Sequence, residues 1–512
     1  MCLARLRLGT ICRGGRVNFR NVFASLVLLS AVSLISCSGG SKNTPPPGGG
    51  TATLSLTARA TPLNPPPNTN LLSFIVDINT ITLTSSTGSN VNIPLNATSI
   101  GVDLTKLQSD SVFLGSAATV PAGTYASISV SISNPVVTFC TQTAGIAGCA
   151  AGSVTTISGA AAAPKITSAP FPLTLSANQK TGLAINFNLG NALTANAFQV
   201  VTAVNLGAAN VLSASTLPPI ASSLAAGQLD FVEDVTGIVT AINPTTQSVT
   251  VHTATRGSLT AVANSFTVFS PNCTAFSLSL SFSSCVVQGQ VASLDTVLNA
   301  DGTFTLLEYD PLSTTTGDWI EGIVTAPPFS TTQFSLVIND LVLATSGSLI
   351  GPNLLGAALN ATLVTSPAPF LVDSKGLTIP VNNFTGSTSA SIFLPGQTVF
   401  VHVTAFTAGS GSTLANVSVD RVYLRFTRVS GTVASTGTLA SFTIQNLPSF
   451  FGVTIQPLVE ITQGAPPSIP ATNFDGVNAA TALSNPQTVS IRALYFGQTT
   501  SMPFSAAKVR VP

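Results

Sequence analysis

The stretch Ser127-Ile128-Ser129-Val130-Ser131-Ile132 alternates small hydroxyl side chains with branched aliphatic ones. Successive side chains of a β-strand point to opposite faces of the sheet, so this period of two predicts a half-buried strand. Ala52-Thr53-Leu54-Ser55-Leu56-Thr57 shows the same alternation. Between residues 51 and 213, no stretch of useful length carries a capped apolar stripe with the 3.6-residue period of a helix. The sequence therefore predicts an all-β fold.

The composition favours an exported protein and excludes one class of partner. Only 7% of the residues are charged, 45% are hydrophobic, and 40 Gly and 33 Pro supply frequent turns. Such a charge-poor, turn-rich sequence is typical of exported β proteins. Beyond residue 36 the chain has 13 basic and 17 acidic residues and no basic run, so we expect no nucleic-acid partner.

Residues 1–36 are predicted to be a lipoprotein signal peptide. Five arginines and no acidic residue lie in the first twenty positions, and an apolar run follows from Val22 to Leu34. The run is shorter than the roughly 20 apolar residues that a transmembrane helix needs. Leu34-Ile35-Ser36-Cys37 resembles the bacterial lipobox, which implies that Cys37 carries lipid and begins the mature protein. Ordinary signal cleavage near the same site is the alternative.

The residues after Cys37 predict how the protein is held at the membrane. Residues 37–50 are rich in Gly, Ser and Pro, which indicates a flexible tether. Ser38 rather than Asp follows Cys37, and by resemblance to Gram-negative lipoproteins this favours the outer membrane over the inner one. We expect a bacterial cell-envelope protein, facing the periplasm or the cell surface, whose membrane contact is its N-terminal lipid.

Four cysteines lie beyond the lipobox and form two local pairs, Cys140 with Cys149 and Cys273 with Cys285. Even numbers of close cysteines in an oxidising compartment favour disulfides. A metal site made of four thiolates is the alternative, but neither pair has Cys-x-x-Cys spacing. We therefore predict two structural disulfides, no metal and no cofactor.

Residues 51–214 are predicted to form one antiparallel β-sandwich-like domain. Three of its stretches resemble a bacterial lipoprotein family, domain of unknown function 4382: Val102-Asp103-Leu104-Thr105-Lys106-Leu107-Gln108, Val120-Pro121-Ala122-Gly123-Thr124-Tyr125 and Leu183-Ala184-Ile185-Asn186-Phe187-Asn188. The resemblance implies a sandwich preceded by a signal peptide and lipobox. The chain departs from the family pattern at Asn186 and Asn188, where the family has acids, so any cation-binding role of those positions is in doubt.

A linker at 215–228 is predicted to lead into three repeat modules, at 229–315, 316–427 and 428–512. Their openings are similar: Gly237-Ile238-Val239, Gly322-Ile323-Val324 and Gly431-Thr432-Val433. Five or six short strands in each predict a small closed barrel of OB or SH3-like type, because closure removes exposed strand edges. The repeats resemble domain of unknown function 5666, and a generic β repeat with convergent turn glycines is the alternative.

Few residues suggest chemistry. The two histidines, His252 and His402, lie in different modules, and no catalytic or phosphate-binding motif is present. The densest acidic–aromatic cluster contains Glu308, Asp310, Trp319 and Glu321. Carboxylates flanking a Trp could hydrolyse or bind a saccharide, and the alternative is a junction between modules that Trp319 fills. The neighbouring acids Glu233 and Asp234 are predicted to be solvated.

The leading functional hypothesis is a lipid-anchored, non-enzymatic envelope protein with a structural or binding role, its modules in series forming a stalk. A polymer, a glycan or a protein could be the ligand. The alternatives are a surface polysaccharide hydrolase and a scaffold for an envelope complex.

Overall fold

The structure is a computed structural model that describes residues 50–63, 68–141, 147–150, 153–218, 224–452, 456–464, 471–497 and 502–511. The predicted signal peptide, Cys37 and the tether up to residue 49 lie outside the described residues. Every described helix has only three or four residues, whereas strands recur throughout. The all-β prediction is confirmed. Within these ranges, no helix is long and apolar enough to cross a bilayer.

The first domain is a sandwich of a four-stranded and a larger sheet, which share one core. Ile128, Val130 and Ile132 of the opening stretch are buried in it, as their alternation predicts. Two short helices accompany thirteen strands: β1 (Thr51–Ala60), β2 (Thr69–Ser85), β3 (Asn90–Ile93), β4 (Ile100–Asp103), 3₁₀ helix η1 (Lys106–Gln108), β5 (Val112–Pro121), β6 (Gly123–Thr141), β7 (Val154–Ser158), β8 (Lys165–Ile166), β9 (Leu173–Leu175), β10 (Lys180–Phe187), α1 (Leu189–Ala192), β11 (Leu193–Ala195), β12 (Val201–Val204) and β13 (Leu212–Leu217).

Strand order in the sandwich departs from a purely antiparallel arrangement. The smaller sheet has the order β13-β10-β1-β5, and β1 and β10 run parallel. The larger sheet is built on β3-β2-β6-β7, with β4, β8 and β9 at its margins, and β11 pairs with β12 separately. Strand β13 extends beyond the expected domain end at residue 214, because Leu217 is buried and pairs with Gly182.

Three six-stranded sheets follow, which we name barrels 1, 2 and 3. Barrel 1 contains β14 (Gln228–Asn243), β15 (Ser248–Thr253), β16 (Gly257–Val262), β17 (Val268–Phe269), α2 (Asn272–Ala275), α3 (Phe282–Cys285), β18 (Val291–Asn299) and β19 (Phe304–Ser313). Barrel 2 contains β20 (Asp318–Val324), β21 (Gln333–Val342), η2 (Pro352–Leu354), β22 (Ala358–Leu363), β23 (Leu371–Val372), η3 (Ala390–Ile392), β24 (Thr398–Thr407) and β25 (Ala415–Arg425). Barrel 3 contains β26 (Thr427–Ser435), β27 (Ser441–Gln445), η4 (Ser449–Phe451), β28 (Leu458–Ile461), β29 (Asn473–Asp475), η5 (Ala480–Ala482), β30 (Thr488–Tyr495) and β31 (Phe504–Arg510).

All three sheets have the same strand order. In barrel 2 it is β22-β21-β20-β24-β25-β23, and β22 also pairs in parallel with β25, which closes a ring of five strands. The corresponding closing pairs are β16 with β19 and β28 with β31. The closing ladder is shortest in barrel 1, where only Ala261 and Val262 pair with Phe304 and Thr305. Small closed barrels are therefore present, as the strand pattern predicts.

The prediction that the modules form a stalk is wrong, because the sandwich and the barrels belong to one compact unit. Thr138 Oγ1 of the sandwich donates to the Gly356 carbonyl of barrel 2 at 2.6 Å. Asn96 Nδ2 donates to a carbonyl of barrel 1, and Ser430 Oγ of barrel 3 donates to Gln108 of the sandwich. The sandwich therefore contacts each of the three barrels directly.

Candidate functional site

Trp319 lies where barrels 1 and 2 pack together. Its ring is fully buried and stacks on Phe400, with centroids 4.8 Å apart and planes 9° apart. It belongs to a small apolar cluster to which both barrels contribute: Ile238, Val291, Leu312, Val342, Phe400 and Tyr423. No face of the ring is open to a sugar, so the structure places Trp319 in a packing position rather than in a binding site.

Glu308 and Asp310 are buried apart from any cation. Asp310 Oδ1 accepts a hydrogen bond from Asn272 Nδ2 at 3.0 Å, and no basic side chain of the described residues lies within ion-pair distance of either carboxyl. Burial, aided by the neighbouring Asp373, raises the pKa of Asp310 well above its ordinary value. Burial likewise raises the pKa of Glu308. In both carboxyls burial therefore favours the protonated form over the ionised one.

Glu321, the fourth predicted site residue, lies elsewhere. Its Oε1 accepts from Lys106 Nζ at 2.7 Å, and its Oε2 accepts from Arg425 at 2.8 Å. The side chains that the sequence groups into one acidic cluster thus lie in three places: Trp319 in an apolar junction, Glu308 and Asp310 buried without a basic partner among the described residues, and Glu321 in an ionic cluster. That geometry does not bring two carboxylates to one accessible point, as glycoside hydrolysis requires.

The ionic cluster around Glu321 joins all four domains. We call it the central ion network. Every member is buried or nearly so, and ion pairs connect seven basic and seven acidic side chains: Lys106, Arg256, Lys375, Arg425, Arg428, Arg492 and Lys508 with Asp110, Glu233, Asp234, Asp295, Glu321, Asp340 and Asp373. The sandwich supplies Lys106 and Asp110, and the barrels supply the rest. The equal numbers leave the network neutral overall.

Asp234 has the most cationic partners in this network. Arg428 donates to its Oδ2 at 2.5 Å, Lys106 lies 3.4 Å away, and Arg425 and Lys375 approach its other oxygen. Burial alone would raise the pKa of Asp234, but these cations hold it well below its ordinary value. Conversely, burial would lower the pKa of Lys106, and its carboxylate partners keep it above the usual value. Both side chains therefore remain charged.

The prediction that Glu233 and Asp234 are solvated is wrong. Both side chains are buried, at 3% and 2% exposure. The pairing of β14 with β18 shifts register between Val232 and Val235, and Asp234 has a positive φ of 57°. A bulge of this kind redirects side chains, and here both acids project into the domain junction, where Lys508 Nζ donates to Glu233 at 2.5 Å.

A second, smaller ionic group lies beside the network. Arg59 pairs with Asp230 and Asp475, and Arg510 Nε donates to Asp475 at 2.9 Å. Ser111 Oγ, which donates to Asp230 and accepts from Arg510, links this group to the loop that carries Asp110. The sandwich, barrel 1 and barrel 3 are thus held together at a second point.

A small cleft with a cavity volume of about 80 Å³ lies where the sandwich, barrel 2 and barrel 3 meet. Lys106, Glu321 and Arg428 of the central ion network belong to its lining, and Phe450 and Phe451 of η4 form an aromatic part of it. Asn70 Nδ2 and Thr427 Oγ1, on two further lining residues, have no hydrogen-bond partner among the described residues. Domain junctions are frequent positions for ligand pockets, so this cleft is the candidate functional site.

The histidines do not form a catalytic site with the cleft. His402 Nδ1 lies 2.7 Å from Asp420 Oδ1, and His252 Nδ1 lies 3.0 Å from Ser258 Oγ on the neighbouring strand. Neither histidine lines the cleft. Among the described residues, no group of three or more His, Cys, Asp or Glu side chains is arranged to hold a metal ion.

Both predicted disulfides are confirmed. Cys140 of β6 pairs with Cys149, and Cys273 of α2 pairs with Cys285 of α3. The second disulfide closes the segment that contains α2 and α3, and both of its cysteines are buried in the core of barrel 1. It therefore fixes a loop segment that the short helices alone could not hold.

The stretches that resemble a known family have clear structural roles in the sandwich. Asp103 accepts hydrogen bonds from the backbone N–H groups of Phe74 and Thr105 at 2.9 Å, which shapes the turn that presents Lys106 to the network. Tyr125 donates to the Pro121 carbonyl at 2.7 Å. Asn188 caps α1 by accepting from the backbone of Asn191. These side chains organise the sandwich and the domain junction.

Comparison with known proteins gives a match for the N-terminal domain. No curated protein and no solved structure matches the sequence. Residues 50–201 match the family described as domain of unknown function (DUF4382), which confirms the resemblance of the N-terminal domain to that family.

Proposed function

We propose that the chain is a lipid-anchored protein of the bacterial cell envelope with a non-enzymatic binding role, and that the interdomain cleft is its binding site. The lipobox-like sequence before Cys37, the charge-poor composition and the two disulfides support an exported location. The match of residues 50–201 to a domain of unknown function supports membership of its first domain in that family, and the shared strand order of the barrels supports tandem copies resembling domain of unknown function 5666.

The observation that carries this proposal is the position of the cleft directly on the central ion network. Its charged lining residues are already fixed by ion pairs between domains, since Glu321 pairs with Lys106 while Arg428 pairs with Asp110 and Asp234. Polar groups held in place before a ligand arrives lose little conformational freedom on binding.

The ligand of the cleft is proposed to be a polar envelope component that fits between aromatic and charged walls. Asn70 Nδ2 and Thr427 Oγ1 are the polar atoms that still lack a partner, so an oxygen-bearing ligand would satisfy them. The ligand need not be charged, because the network beneath it is neutral.

Blocking the cleft tests the binding role. Ser430 lines the cleft on β26, whereas Ser435 is exposed on the same strand and lies outside the lining. Full-length protein in detergent is immobilised and used to capture components of solubilised envelope fractions. We expect Ser430→Phe to abolish capture and Ser435→Phe to leave it intact. Equal capture by both variants, with both folded, would refute the cleft as the binding site.

The anchor is tested separately by fractionation of cells that express Cys37→Ser. We expect the variant to leave the membrane fraction while its thermal unfolding, measured after purification, matches that of the parent. A variant that stays in the membrane fraction would exclude Cys37 as the site of anchoring.

A further inference from the structure

The Cys140–Cys149 disulfide lies next to the interdomain cleft. Cys140 is on β6, where it pairs in register with Asn70 of β2, and Asn70 lines the cleft. Leu72 lines the cleft two residues further along β2, and it belongs to one small buried cluster with both cysteines and with Phe450 of barrel 3. The disulfide is therefore packed together with the sandwich wall of the cleft and with its aromatic wall.

Residues 147–150, which carry Cys149, belong to the sandwich but bond to two barrels. The Gly148 N–H donates to the Phe450 carbonyl of barrel 3 at 2.9 Å, and the Cys149 N–H donates to the Thr325 carbonyl of barrel 2 at 2.7 Å. Gly148 has a φ of 78°, and a Cβ at this position would lie 2.6 Å from the Thr325 carbonyl oxygen. The close approach thus depends on glycine. The disulfide fastens this docked segment to β6.

The two phenylalanines of the aromatic wall are held by different domains. Tyr495 of barrel 3 donates from its hydroxyl to the Phe451 carbonyl at 2.8 Å, and the Phe451 ring packs edge-on against the rings of Tyr495 and Phe504. Barrel 3 therefore fixes Phe451 by itself. Phe450 bonds instead to Gly148 of the sandwich, so its position depends on the segment that the disulfide closes.

The cleft is small enough for the position of this wall to matter. Its cavity volume is about 80 Å³, whereas a cavity needs roughly 10–15 Å³ to hold one water. The cleft therefore admits a small polar molecule, or one end of a larger one. A small displacement of Phe450 relative to Leu72 would change a large fraction of this space.

We propose that the Cys140–Cys149 disulfide is a positioning element of the cleft, which sets the separation of the sandwich wall from the aromatic wall and so limits the size of the ligand. This inference rests on the proposed function and adds a size limit to it. The other disulfide provides a matched comparison, because Cys273 and Cys285 both lie within the core of barrel 1 and neither lines the cleft.

Hydrogen–deuterium exchange of the full-length protein in detergent tests the positioning role without a ligand. The Phe451 N–H, which bonds to the Pro448 carbonyl within η4, reports on the aromatic wall. In the double variant Cys140→Ala/Cys149→Ala we expect this amide to exchange roughly tenfold faster, because η4 loses its link to the sandwich. The amides of β30, elsewhere in barrel 3, should exchange as in the parent. Cys273→Ala/Cys285→Ala should leave η4 unchanged.

A second variant displaces the docked segment while keeping the disulfide. Gly148→Ala places a Cβ against the Thr325 carbonyl, so we expect it to accelerate exchange in η4 as well. Gly88→Ala is the matched control, since Gly88 also has a positive φ, of 89°, but no atom lies within 4 Å of the added Cβ. It carries the same kind of backbone strain without the clash.

Three outcomes would overturn the inference. The first is unchanged exchange in η4 in both Cys140→Ala/Cys149→Ala and Gly148→Ala. The second is equal acceleration in η4 and β30, which would indicate general loss of stability. The third is faster exchange in η4 while Cys140→Ala/Cys149→Ala captures the same envelope components as the parent, because a wider cleft should admit larger ones. Failure of the parent to capture any component would instead refute the proposed function.

Discussion

The central ion network and the site of Glu308 and Asp310 shift the pKa values of buried carboxyls in opposite directions. In the network, each carboxylate lies within ion-pair distance of at least one basic side chain, and the pKa of Asp234 is held well below normal. Glu308 and Asp310 lack such partners among the described residues, and burial raises their pKa values. Burial penalises the charged form, so a carboxyl is kept ionised by cations or neutral by a proton.

The comparison shows why charge is concentrated where the domains meet. A buried charge without a partner is costly, so each ion pair that crosses between two domains favours one relative orientation of them. The apolar cluster around Trp319 joins barrels 1 and 2 as well, but apolar contact is less selective about register. We therefore expect the ionic contacts to specify how the four β-domains dock, and the apolar contacts to contribute much of the stability.

The largest effect is expected from removing the charge of Asp234. Asp234→Asn keeps the shape of the side chain but leaves four neighbouring cations with one carboxylate fewer. We expect a loss of about 3–5 kcal/mol in the free energy of unfolding. Chemical denaturation followed by fluorescence measures it. The matched control is Asp310→Asn, the same substitution at a site of equal burial.

An equal loss in the two variants would contradict the distinction between the two carboxyl environments. A loss in Asp234→Asn that appears only as earlier separation of the domains, with the barrels still folded, would agree with the docking role. Limited proteolysis between the domains distinguishes that case from global unfolding.

Much of the fold could be predicted because it depends on local pattern. Alternation in the stretch from Ser127 to Ile132 follows from the pleat of a strand, and close cysteine spacing indicates which thiols can pair. The docking of the domains depends instead on contacts between residues that are hundreds of positions apart, such as Lys106 with Glu321. No local period encodes such contacts, so modules in series were predicted where a compact unit is found.

The candidate site was missed for the same reason, although the sequence contains a signal. Arg425 lies between Leu424 and Phe426, and Arg492 between Ile491 and Ala493, all within or beside strands. A charge among apolar strand residues in a chain with few charges indicates a buried ion pair. Their partners cannot be assigned until the sheets are docked, and the bulge that turns Asp234 inward is not visible in the residue pattern.

A smaller effect is expected at the apolar junction. Trp319→Leu removes the ring that stacks on Phe400 but leaves an apolar group in its place, so we expect a loss of about 2 kcal/mol in the free energy of unfolding. The control is Phe329→Leu, which alters an exposed ring and is expected to change stability by less than about 0.5 kcal/mol. If Trp319→Leu cost more than Asp234→Asn, the junction of barrels 1 and 2 would depend mainly on apolar packing.

The smallest effect at neutral pH is expected from Asp310→Asn, within about 1 kcal/mol, because an amide resembles the protonated carboxyl it replaces. The Asp310→Asn variant is expected to differ from the parent mainly in how its free energy of unfolding depends on pH. The folded-state pKa of Asp310 is raised, so the parent loses stability as pH rises from the unfolded value of about 3.9 toward the folded one. Asp234 behaves oppositely, and its contribution is lost as pH falls below about 4.

Chemical denaturation measured across a range of pH distinguishes the loss of stability above pH 4 from the loss of stability at acidic pH. Asp310→Asn combined with Glu308→Gln is expected to flatten the decline above pH 4, because both protonated carboxyls are then replaced by amides that do not titrate. The loss of stability at acidic pH should persist, since the central ion network is unchanged. A decline above pH 4 that is as steep in the double variant as in the parent would show that these two carboxyls are ionised in the folded protein.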